Sequence, residues 1–130
     1  MLSDDEQRAS FEVVELSLLP PDRIERETPK PGSGRTCGCF HCRREWRRIA
    51  AVSVEVLEQG VDPLDREAVL AYAASSLSGD RDRLCLCSLF SDPIVVSPGE
   101  EVFTNGRHRT HAMRMAGVER AAIYTKAGER

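Results

Sequence analysis

The sequence predicts a mixed α/β domain, a small mixed sheet flanked by helices, and three observations carry that expectation. Near the C-terminus an apolar, β-branched stretch at 102–104 runs into Asn105-Gly106. The pattern then changes to helical spacing over 107–116, stops at Gly117 and resumes as an apolar strand at 121–124. Just upstream, the apolar residues 94–96 are joined to 102–104 through Ser97-Pro98-Gly99-Glu100, a turn composition that pairs the two segments as a hairpin. Finally, helical patterns lie between this unit and an imperfectly alternating strand at 11–19.

A chain of 130 residues supplies one domain with one core, not two. The domain is expected over residues 11–130, after an acidic N-terminus, 1–10, that is expected to be mobile. Pro20-Pro21 ends the first strand, and residues 28–34, rich in Pro and Gly, read as a loop inside the domain. A helix is expected from Arg43 to about residue 59, with Trp46, Ile49, Ala50, Ser53 and Leu57 on its inner stripe. Asp62-Pro63 reads as the cap and first position of another helix, which runs through Val69, Leu70 and Ala73 to about Leu77. Residues 79–83 read as a polar turn. The apolar run 84–90 has no periodicity that decides between helix and strand.

Cys37, Cys39, His41 and Cys42 crowd into six positions of a glycine-containing loop. Thiolates so placed converge on one metal, and zinc favours sulfur and nitrogen at tetrahedral geometry. The expected ligands are Cys37, Cys39 and Cys42, with a fourth from His41, Cys85 or Cys87. An iron–sulfur cluster is a lesser alternative, since it needs four thiolates gathered across the chain. For Cys85 and Cys87 themselves the plainer reading is two small apolar side chains on one face of a buried strand. Five cysteines, an odd number, and an acidic start unlike an export signal argue against a disulfide framework. The location expected is cytoplasmic, and no apolar run is long enough for a membrane span.

Arg43, Arg44, Arg47 and Arg48 crowd the start of the helix that follows, where the macrodipole disfavours cations. A solvated face is the usual explanation of such a run. The sharper one is a partner, either a nucleic acid or a protein. The formal net charge of −3 argues against a surface that coats nucleic acid as a whole, and aromatic residues at 5% argue against stacking on several aromatic platforms.

The turn at Gly106 makes an anion site. The first amides of a helix have no internal partner and carry partial positive charge. Gly106 permits close approach, Arg107 and Arg109 add guanidinium donors, and Asn105 shapes the turn. His108 falls on the expected inner stripe with Ala112, Met115 and Ala116. It reads either as a partly buried structural histidine or as a ligand contact and candidate catalytic residue. A metal pair with His111 is less favoured, because the flanking arginines repel a cation.

These residues also carry a resemblance. Asn105-Gly106-Arg107-His108-Arg109-Thr110-His111-Ala112, followed by Gly117-Val118 and an apolar strand, resembles the signature turn of the ParB/sulfiredoxin superfamily. Pro93-Ile94-Val95-Val96 resembles that family's preceding strand, and residues 12–20 resemble its opening strand more weakly. The resemblance implies binding of CTP or ATP at the turn, alone or with magnesium, by a stand-alone domain. Family members use the site for nucleotide-gated clamping, phosphotransfer or nuclease chemistry, often in association with DNA. Arg107 stands where sulfiredoxin carries its catalytic cysteine, so sulfinic acid reduction is not implied. The alternative is a zinc-stabilised module that binds nucleic acid or protein without catalysis.

Overall fold

Four strands, β1 (Phe11–Glu15), β2 (Val95–Val96), β3 (Phe103–Asn105) and β4 (Arg120–Tyr124), form one mixed sheet in the order β1-β4-β2-β3. β4 runs antiparallel to β1, in register from Phe11 opposite Tyr124 to Glu15 opposite Arg120. It runs parallel to β2 through Val95 and Tyr124. β2 and β3 form the expected antiparallel hairpin, with a register shift between Val95 and Val96. In the computed structural model the described residues are 3–20, 44–96 and 103–125.

Among the described residues five α-helices accompany the sheet: α1 (Asp4–Ala9), α2 (Trp46–Glu58), α3 (Arg66–Ala73), α4 (Asp80–Ser91) and α5 (Arg107–Met115). The mixed α/β class is therefore observed. Ala121, Ala122 and Ile123 of β4 are buried in succession, as in a strand covered on both faces. α2 packs on β4 and β1 and also meets α3, α4 and α5, which makes it the centre of the core. Its buried residues include four of the five expected on the inner stripe, Trp46, Ile49, Ala50 and Ser53, while Leu57 is only partly buried. Ser53 Oγ donates to Ala50 O at 2.7 Å and accepts from Ala122 N at 3.1 Å. Because β2 reaches β4 only at Tyr124, this hydroxyl satisfies a strand amide that would otherwise be buried unpaired.

Several boundaries differ from expectation, each for a local reason. The N-terminus, for which no element was expected, contains α1, closed by a capping box in which Ser3 Oγ accepts from Glu6 N and Glu6 Oε1 accepts from Ser3 N. After β1 the chain turns into a 3₁₀ helix at Leu16–Leu18 instead of extending to residue 19. Arg44 precedes α2, which has Glu45 as its cap. The cap of α3 is Asp65, whose side chain accepts from Ala68 N, and not Asp62. Asp62 accepts from Leu64 N within a turn and from the Arg8 guanidinium, so its carboxylate has no capping role. α3 ends at Ala73, short of Leu77. The stretch 79–83 is not a turn: Gly79 caps α4, and Asp80 and Asp82 in its first turn complement the helix dipole. Cys85 and Cys87 consequently lie on a helix and not on a strand.

Candidate functional site

β3, Gly106 and α5 form the strand–turn–helix expected from the sequence. Gly106 has φ +93°, a left-handed conformation that favours glycine. A Cβ built there would lie 2.6 Å from Ile94 Cγ1 and 2.8 Å from Ile94 Cα. The immediate need for glycine is thus contact with the chain just before β2. Asn105 closes the other side of the same junction: its Nδ2 donates to Asp92 Oδ1 and to Pro93 O, both at 2.8 Å.

α5 begins without a side-chain cap. Thr110 bonds back to Gly106 O through both its amide and its hydroxyl, at 2.9 and 3.0 Å. The junction lies beside Asp92, whose carboxylate accepts from Asn105 and is otherwise exposed.

The inner stripe of α5 is shifted by one residue from expectation. Arg109, Ala112 and Met113 are buried and Ala116 packs partly against the core, whereas His108 is exposed and Met115 is 43% exposed. His108 is therefore not a core histidine, and it is available to a ligand. The buried histidine is His111. Arg109 was expected to be a phosphate clamp. Its guanidinium instead donates to Asp92 O at 2.6 Å and to Ser88 O at 3.1 Å, with Ser88 Oγ at 3.3 Å. These are groups at the C-terminal end of α4, where the dipole favours a cation; Ser88 O also accepts from Asp92 N at 2.9 Å. Burial pushes the Arg109 pKa down, an effect that the Asp92 carboxylate and Cys85 oppose. The turn thus holds the end of α4 from two sides, through Asn105 and Arg109. The backbone of Arg107 opens α5, while its side chain lies outside the described residues.

Cys37, Cys39, His41, Cys42 and Arg43 lie outside the described residues. Among the described residues no group of three or more His, Cys, Asp or Glu is placed to hold a metal ion. Cys85 and Cys87, two positions apart on a helix, project in different directions and do not form a pair. Burial pushes the Cys85 thiol up to about 11, against the opposing charges of Arg44 and Arg109, so it is neutral at physiological pH. The Cys87 thiol is raised by burial too, with Arg66 opposing.

The arginines at the start of α2 do not present one free face. Arg44 is partly buried and pairs with Asp82 at 3.7 Å. Arg48 Nη1 reaches Ser76 O at 3.4 Å. Arg47 lines a groove that also contains Glu55, Glu58 and Glu119. Such acidic company weakens any attraction for a polyanion. Among the described residues no helix is long and apolar enough to cross a membrane. Compared with protein-family models, curated proteins and solved structures, the chain matches none.

Proposed function

We propose that the chain is a ParB/sulfiredoxin-like domain that binds a nucleoside triphosphate of the CTP or ATP type at the N-terminal turn of α5. The observation that carries the reading is the uncapped first turn of α5, entered from a strand through a left-handed glycine. The first amides of a helix have no acceptor within it, and with the helix dipole they suit phosphate oxygens. In this reading Arg107 supplies the guanidinium, and exposed His108 contacts the ligand or exchanges a proton with it. Asn105 and Arg109 position the turn by bonding it to the end of α4, in place of the direct phosphate contact first expected of Arg109. Asp92 bears on the role of magnesium. One of its carboxylate oxygens accepts from Asn105, and the other is suited to a magnesium ion carried by the triphosphate, since such ions are held by one or two carboxylates and by phosphates. Without a cation the same carboxylate would repel the ligand.

Calorimetry with CTP, ATP and GTP at moderate salt, with and without magnesium, tests the proposal. Arg107→Ala is expected to weaken binding by on the order of 1.5–3 kcal/mol, the range for hydrogen bonds to charged groups. Equal affinity in wild type and Arg107→Ala would place any bound nucleotide elsewhere.

One observation favours the zinc-stabilised module as a second reading. Arg44, two positions after Cys42, pairs with Asp82 at 3.7 Å, one helical turn before Cys85 on α4. If Cys37, Cys39 and Cys42 hold zinc with a cysteine from α4, that residue is Cys85, which the metal would have to deprotonate. Cys85→Ser should then lower the zinc content of protein purified without added metal, and Cys87→Ser should not. Equal zinc in both variants would remove α4 from the ligand set.

A further inference from the structure

Away from the α5 turn, a cavity of about 420 Å³ opens between α1, α3 with its preceding loop, and the end of α4. Its floor is apolar, formed by Val69, Cys87 and Phe90, all buried. Its rim carries Arg8, Asp62 and Arg66. The volume and the combination of an apolar floor with a few polar groups are those of small-molecule sites.

The rim charges do not cancel. Asp62 is held by Arg8 in a two-point pair, Nε to Oδ1 at 2.8 Å and Nη2 to Oδ2 at 2.9 Å. The hydrogen bond from Arg8, then that from Leu64 N, hold the Asp62 carboxyl below its usual range. Asp5 also reaches Arg8, at 3.1 Å, but it is exposed and does not line the cavity. Arg66 differs from Arg8, because it makes no hydrogen bond or ion pair among the described residues. It is the first residue of α3, where the helix dipole disfavours a cation. It lines the same cavity as Cys87, whose thiol its charge stabilises in the ionised form. A cation set against a dipole, with no partner among the described residues, at the mouth of an apolar cavity complements an anion with an apolar body. With Arg8 and Asp62 cancelling, the described residues of the rim carry one net positive charge, which fits one carboxylate better than a triphosphate.

We infer that this cavity binds a small apolar monocarboxylate, with its apolar body on Val69, Cys87 and Phe90 and its carboxylate on Arg66. The site shares no residue with the α5 turn and does not rest on nucleotide binding there. Octanoate is the probe, with octylamine as the cationic control of equal length. Calorimetry on the full chain is expected to show octanoate binding, no octylamine binding, and a loss of about tenfold or more in octanoate affinity in Arg66→Glu, the effect of one lost charged contact. The melting temperature of Arg66→Glu should match wild type, because Arg66 is exposed and makes no bond within the described chain. Bound octanoate should also slow alkylation of Cys87, followed by peptide mapping, without changing the rate at Cys85. The inference is overturned by absence of octanoate binding at millimolar concentration, by equal binding of octylamine, by unchanged affinity in Arg66→Glu, or by equal protection of both cysteines.

Discussion

Gly106→Ala is expected to destabilise the fold by on the order of 3 kcal/mol, from two sources that add. The left-handed backbone at φ +93° disfavours a side chain by about 1–2 kcal/mol. The new Cβ also meets Ile94 side chain and backbone at 2.6–2.9 Å, and overpacking of this kind costs about 1–3 kcal/mol. Gly117 supplies the control. Its φ is +82° and a Cβ there meets nothing within 4 Å, so Gly117→Ala should show the backbone cost alone. Chemical denaturation of the two variants separates the terms. Equal losses would mean that Ile94 gives way and that contact across the turn is unimportant. The comparison also bears on binding experiments, since a bulky residue at 106 would disturb the scaffold before it could block a phosphate.

Arg109→Met is expected to cost on the order of 2 kcal/mol. Methionine keeps an apolar stem but leaves Ser88 O and Asp92 O without the guanidinium that now serves them. The desolvation of the buried arginine, which lowers its pKa, is relieved by the same change, so the net loss is smaller than the sum of its charged hydrogen bonds. Amide hydrogen exchange should accelerate at the end of α4 more than in α2. Nucleotide affinity of the folded variant should fall less than in Arg107→Ala, because Arg109 acts on the scaffold. A larger loss of affinity in Arg109→Met would restore the direct phosphate contact expected from the sequence.

The turn was legible because its signals are local. A glycine between a β-branched run and a helical pattern marked the junction, and Gly117 marked the stop at φ +82°. The face of α5 was harder, since its inner stripe begins with an arginine. Apolar spacing placed His108 and Met115 inside, whereas Arg109 is buried because carbonyls at the end of α4 await it. α4 was ambiguous for a related reason. Cys85, Leu86, Cys87, Leu89 and Phe90 are buried around much of its circumference, so no stripe is written into it. At α3 the sequence pointed to Asp62-Pro63 as cap and first position, but Arg8, which is distant in sequence, holds Asp62, and Asp65 caps the helix three residues later. The Ser3 to Glu6 capping box is written in the sequence, but the short acidic segment that it opens carries no apolar stripe to mark a helix. The cavity beside Arg66 left no trace in the sequence, because it is assembled from α1, α3 and α4.

The central claim, a triphosphate seated on the first turn of α5, is tested most directly by titrating CTP and ATP, with magnesium, into isotope-labelled protein and following backbone amides by NMR. Saturable shifts are expected, largest at the amides of Arg107, His108 and Arg109, smaller at Asp92 and Asn105, and lost in Arg107→Ala. Shifts centred elsewhere, or none at these amides with either nucleotide, would contradict it.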